Sequence, residues 1–92
     1  MLRMPLFVRT LLVTGPPDEV AGAAAGHLDQ LRELRAAGRL RAAGEFNDGD
    51  GYLEIFEAAD LLEAQTIGQA SPLVTEGLGA FMIREWSETQ LD

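Results

Sequence analysis

Asn47-Asp48-Gly49-Asp50-Gly51 separates two short runs, residues 39–46 and 52–57, and the reading of those runs decides the fold. Its two Asp-Gly pairs tolerate the positive φ that a tight hairpin demands, so the spacing predicts two antiparallel strands joined by a hairpin. Carboxylates so spaced also occur in calcium loops. Here the further ligands and the closing glutamate are missing, and the hairpin is the reading that stands.

Working toward the N-terminus, Val20, Ala24, His27, Leu31 and Leu34 recur at alternating steps of four and three, one apolar helical stripe widened by Leu28. Pro17 with Asp18 and Glu19 opens that helix, since proline is preset for the first turn and carboxylates suit the positive dipole end. Ala36-Ala37-Gly38 closes it. Before it, residues 5–14 read as a strand stopped by Gly15-Pro16-Pro17. One face carries Leu6, Val8, Thr10 and Leu12, the other Phe7, Arg9, Leu11 and Val13. Both are mostly apolar, which predicts cover on both sides.

Toward the C-terminus, Asp60 with Glu63 three positions on predicts a capped second helix, with Leu61, Leu62, Ala64 and Ile67 apolar. Ser71-Pro72 breaks it and residues 73–78 read as a connecting loop. Residues 79–86 form a last strand, with Phe81 and Ile83 alternating against Met82, Arg84 and Trp86. Residues 87–92 are a polar tail expected to fray.

The order is β-α-β-β-α-β in one domain over residues 1–92, an α+β ferredoxin-like sandwich with both helices on one face of the sheet. The other face cannot be polar, because the first and last strands are apolar on both sides. A bare apolar face of several hundred Å² is unusual on a monomer, so the chain is expected to pair with itself, sheet against sheet, as a homodimer.

A net charge of −8 argues against nucleic-acid binding or attraction to anionic membrane surfaces. The absence of cysteine removes disulfides and thiolate chemistry and fits a reducing cytoplasm, the expected location. Met1-Leu2-Arg3 begins an apolar opening, but Arg9 interrupts it and no small-residue cleavage site follows. All seven cations are arginines, and Arg32, Arg35, Arg39 and Arg41 crowd into one ten-residue stretch. They read either as solvated charges near a helix C-terminus or as a patch for an anionic ligand.

No metal and no cofactor is expected. One histidine and no cysteine cannot close a transition-metal site within one chain. Gly77 and Gly79 precede a strand, so they are no dinucleotide fingerprint, and without lysine there is no phosphate-cradling loop. Ser71 and Ser87 lack a nucleophile-elbow setting. His27 remains, the side chain whose ordinary pKa lies near neutrality. It sits in the apolar stripe, and the turn before it, residues 22–26, is all glycine and alanine. That turn leaves room for a ligand or for a close-packed neighbour. Glycines inside a helix cost about 1 kcal/mol each relative to alanine, which points to a close approach of some kind. On the residues alone, a packing histidine and a catalytic one both fit. Asp29 cannot orient the ring, because residues two apart lie on different helix faces.

His27-Leu28 with Leu31, Leu34, Gly38-Arg39-Leu40 and Gly44 resembles the YCII-related domain family, as do the strand over 52–57, Asp60, Pro72 before Gly77-Leu78, and a last strand ending in Trp86. The resemblance covers nearly the whole chain in order and implies a dimeric α/β barrel. It also implies that His27 is catalytic, paired in the family with an aspartate just before the proline that follows the second helix. That position is Ser71 here, and a serine can hydrogen-bond an imidazole but cannot stabilise its charged form as a carboxylate would. A second resemblance, to muconolactone isomerase-like proteins, lies in Phe7-Val8-Arg9 and Gly38-Arg39 and implies a proton shift on a small ring.

Two functions follow. In the first, a lyase or isomerase uses His27 as general acid/base, Ser71 to position the ring or the substrate, and Arg9 and Arg41 to anchor a substrate carboxylate. In the second, a non-catalytic ligand-binding or accessory domain has lost the acidic partner. A carboxylate within reach of His27, from Asp48, Asp50, Glu45, Glu76 or a second copy, separates the two.

Overall fold

A computed structural model describes residues 4–91; the Met1-Leu2-Arg3 opening lies outside the described residues. The elements are β1 (Leu6–Val13), α1 (Pro17–Ala36), β2 (Leu40–Glu45), β3 (Gly51–Glu57), α2 (Leu61–Gln69), α3 (Pro72–Thr75) and β4 (Gly79–Trp86). The sheet order is β2-β3-β1-β4, antiparallel throughout, which is the ferredoxin-like α+β topology expected from the sequence.

The hairpin forms where expected: Gly49 takes φ +77° and donates its N–H to the Phe46 carbonyl at 2.8 Å. α1 begins with Pro17 in its first turn and ends at Ala36, with Ala37 as its cap, beyond which Arg39 N–H returns to Leu34 O at 2.9 Å. On its buried side lie Ala23, His27, Leu31 and Leu34, so Ala23 takes the place expected of Ala24. Asp60 caps α2 by accepting from Glu63 N–H at 2.8 Å. Glu63 completes the box one residue further out than expected, on Ala59 N–H at 2.7 Å.

One expectation is corrected. Residues 73–78 are not all loop, because Ser71 caps a one-turn helix, α3, with Pro72 in its first turn. A serine followed by proline is a helix start as much as a helix break. The turn buries Leu73 completely.

The helix-facing side of the sheet is built in rows. Phe7 pairs with Phe56, Arg9 with Glu54, and Leu11 with Tyr52. The first row belongs to a cluster with Ala58 and Ala64, the third to one with Ala23, Leu73 and Leu78. The middle row is polar and splits the core in two. On the opposite face Val8, Leu53 and Ile55 are half-buried, while Leu12, Met82 and Trp86 are exposed. No helix among the described residues is long and apolar enough to cross a membrane.

Candidate active site

The polar row continues upward into the helices. The α1 stripe aims His27 at the sheet, where its Nε2 lies 2.9 Å from Glu54 Oε2. Its Nδ1 lies 2.7 Å from the Ser71 hydroxyl, carried at the start of α3. Glu54 uses its other oxygen, Oε1, to accept from Arg9 Nε at 2.6 Å. Arg9 Nη1 donates to Gln30 Oε1 and to the Gly68 carbonyl, both at 3.0 Å. Arg9, His27, Glu54 and Ser71 are all fully buried. Among the described residues, Arg9 Nη2 is the one buried side-chain polar atom without a hydrogen-bond partner.

The hydrogen bonds dictate what the imidazole can do. A carboxylate oxygen only accepts, so Nε2 carries a proton toward Glu54. Ser71 Oγ already accepts the Leu73 N–H at 3.2 Å and keeps a second lone pair and its own hydrogen. With neutral His27, the hydroxyl donates to Nδ1; with imidazolium, Nδ1–H donates to Oγ. The Nδ1–Oγ hydrogen bond can therefore persist in either state of the ring, with its direction reversed.

The space beside the ring goes to close-packed neighbours. A Cβ at Gly26 would lie 2.6 Å from Pro72 Cγ, so this glycine lets α3 settle against α1. Gly22 has nothing within 4 Å and serves no such approach. Tyr52 packs against His27 in a tilted contact, with ring centroids 4.6 Å apart and planes 46° apart. Burial, aided by the Glu45 and Glu54 carboxylates, pushes the Tyr52 phenol above its ordinary pKa of 10.0, so it is a neutral donor at physiological pH.

Of the residues singled out in the sequence, the structure brings His27, Ser71 and Arg9 together. It does not bring Arg41 to them: that guanidinium is more than half exposed and pairs with Glu88 at 2.8 Å. The carboxylate at His27 is none of Asp48, Asp50, Glu45 or Glu76; it is Glu54. Its signal was present in the chain. Arg9 is a cation on an otherwise apolar strand face, which calls for a buried counter-charge. Residues 52, 54 and 56 alternate as tyrosine, glutamate and phenylalanine, which puts Glu54 on the buried face of its strand.

A family model, the YCII-related domain, matches residues 7–87. The chain belongs to the YCII-related domain family. Its relatives include the "Uncharacterized protein YjpA" of Bacillus subtilis (strain 168), 44% identical over 62 residues that cover 67% of this chain and 73% of the relative. Among solved structures, 5-chloro-2-hydroxyhydroquinone dehydrochlorinase (TftG) from Burkholderia phenoliruptrix AC1100 is similar with a TM-score of 0.68 at 21% identity, over 89% of this chain and 95% of the other. SnoaB, a cofactor-independent oxygenase from Streptomyces nogalater, is similar with a TM-score of 0.55 at 13% identity, over 98% and 97%. These likenesses establish the fold. Ser71 stands before Pro72, and the carboxylate that meets the histidine, Glu54, comes from the sheet.

Proposed function

We propose that this YCII-related chain is a cytoplasmic lyase or isomerase that moves a proton on a small aromatic or carbonyl-bearing molecule, with His27 as general acid/base. The observation that carries the reading is the double engagement of His27, Ser71 Oγ on Nδ1 and Glu54 on Nε2. Glu54 stabilises the imidazolium and holds the ring; Ser71 passes the proton between Nδ1 and substrate. Access to the ring follows a swing of the partly exposed Tyr52.

Energetics support the same reading. Burying an ion costs several kcal/mol, and apolar replacements of buried ion pairs are often neutral or stabilising. A domain of 92 residues has only ~5–15 kcal/mol of net stability in all. Stability alone therefore gives little reason for a buried Arg9-Glu54-His27 row, and clusters of this kind are enriched at functional sites. The dehydrochlorinase named above shares this fold and takes its name from a chlorinated hydroquinone, a small-molecule substrate of the proposed kind. Homodimerisation through the open sheet face completes the proposal: a second copy covers Leu12, Met82 and Trp86.

The second reading, a binding domain without turnover, draws on the complete enclosure of the imidazole, whose nitrogens are both occupied. Turnover of a panel of chlorinated hydroquinones and small lactones, followed by chloride release and ultraviolet absorbance, decides between them. A general acid/base contributes ~10²–10⁴ in rate, so His27→Asn should lower turnover by that factor, with Glu54→Gln falling in the same direction. Turnover indifferent to both changes would rule out His27 as the acid/base.

A further inference from the structure

The crowded arginines of residues 32–41 are not spent in the His27 network. Arg39 pairs with Glu63, Arg41 with Glu88, and Arg32 with Asp29 on the surface. Arg35 has no ion-pair partner among the described residues.

Arg32 and Arg35 line an open cleft of about 240 Å³ between α1 and β2, whose apolar walls are Leu28, Leu31, Leu40 and Ala43. The cleft is a product of backbone geometry. Between Leu40 and Ala42 the β2 ladder shifts register, with Leu40 opposite Phe56 and Ala42 opposite Ile55, so Arg41 is the extra residue of a bulge. That bulge brings Leu40 and Ala43, three apart, to the same helix-facing side, where even spacing would have parted them. Ala43 then stands directly opposite Glu54. Leu28 follows His27 in the chain, and Leu31 is the next buried residue of its stripe. One wall thus separates cleft from network.

We propose that this cleft is a binding site for a small apolar monoanion: a one-ring or short-chain body against Leu28, Leu31, Leu40 and Ala43, its carboxylate or phenolate held by Arg35 and Arg32. The chemistry is complementary in both parts. An apolar body removes the leucines from water, and a planar guanidinium suits a bidentate anion. A chain of net charge −8 repels anions overall, so a local pair of arginines provides selectivity that the global field does not. Drug-sized ligands fill pockets of ~300–1,000 Å³, and this smaller volume calls for a smaller ligand. The cleft lining includes none of His27, Glu54 or Ser71, so this site stands apart from the proposed acid/base and its occupancy does not depend on that reading.

Binding tests it separately from catalysis. Wild-type chain labelled with ¹⁵N is titrated with benzoate and with uncharged benzamide, and backbone amide shifts are followed. Benzoate should saturate with shifts centred on Leu28, Leu31 and Ala43, and bind about tenfold tighter than benzamide. Arg35→Gln should weaken benzoate by about tenfold. Ala43→Phe, which fills the cleft from an exposed strand position, should abolish binding with the native amide pattern retained. Should that variant lose its native pattern, Arg35→Gln decides alone. His27→Asn should bind benzoate as wild type does, which keeps a failure of the catalytic reading distinct from a failure of this one. Absence of saturable benzoate binding, equal affinity for benzamide, or an Arg35→Gln protein that binds normally would each overturn the assignment.

Discussion

Arg9 on β1 and Glu54 on β3 are direct cross-strand partners whose side chains meet at 2.6 Å, fully buried, between a Phe7/Phe56 row and a Leu11/Tyr52 row. Each charge is tolerated there only because the other is present. Arg9→Met or Glu54→Gln alone should each cost ~3–5 kcal/mol, since each leaves an uncompensated buried charge or a vacated partner. The double change Arg9→Met/Glu54→Gln should cost less than the two single losses added together. Urea melts of the three variants measure this, and single-site losses that simply add would show that the pair is not coupled.

Two glycines of α1 should answer substitution with opposite signs. At Gly22 a Cβ meets nothing within 4 Å, so Gly22→Ala should gain up to ~1 kcal/mol from helix propensity. At Gly26 the new carbon would lie 2.6 Å from Pro72 Cγ, and overpacking of ~1–3 kcal/mol should outweigh that gain. Thermal melts of both single variants check the signs; a stabilised Gly26→Ala would mean that α3 moves away from α1 at little cost.

The open face of the sheet should be an interface. Light scattering at micromolar concentration should give about twice the 9.9 kDa chain mass. Met82→Glu puts a charge amid that face, beside Thr10 and two residues from Ala80 and Arg84, and should shift the mass toward the monomer. A wild-type chain that already runs as a monomer contradicts the expectation.

Glu63 should make part of the stability depend on acidity. The Ala59 N–H, and after it Arg39, holds its carboxyl below the ordinary 4.5. A pKa lowered by folding stabilises the native state above the unfolded value and ceases to do so as pH falls through the folded one. Wild type should therefore melt higher than Glu63→Gln at neutral pH, and the two curves should converge in acid well below 4.5. A gap that widens in acid would reverse the assigned sign.

The element order was legible because each signal was local. Pro17 with two carboxylates starts α1, the Asp-Gly pairs make the hairpin, and Asp60 with Glu63 caps α2. The apolar stripe also placed His27 on the buried side of its helix. α3 is not legible in the sequence because Ser71-Pro72 ends one helix and begins the next, and the two signals fall on the same residues. Arg41 has the chemistry to hold a carboxylate, but a bulge in an edge strand holds it on the surface.

From the chain alone, then, came the βαββαβ order, an imidazole turned toward the sheet, and an arginine on an otherwise apolar strand face. The identity of the carboxylate at His27 was decided only in three dimensions. Glu54 is 27 residues from His27 and reaches it because β3 pairs with β1 in one register. Side chains alternate across a sheet, so a slip of one residue would turn Leu53 or Ile55 toward the imidazole and Glu54 toward the open face. That register is held by the rows above and below, Phe7 with Phe56 and Leu11 with Tyr52, whose side chains a one-residue slip would turn out of the core. Local sequence carries the chemistry of each side chain; the apolar rows of the sheet determine which of them meet.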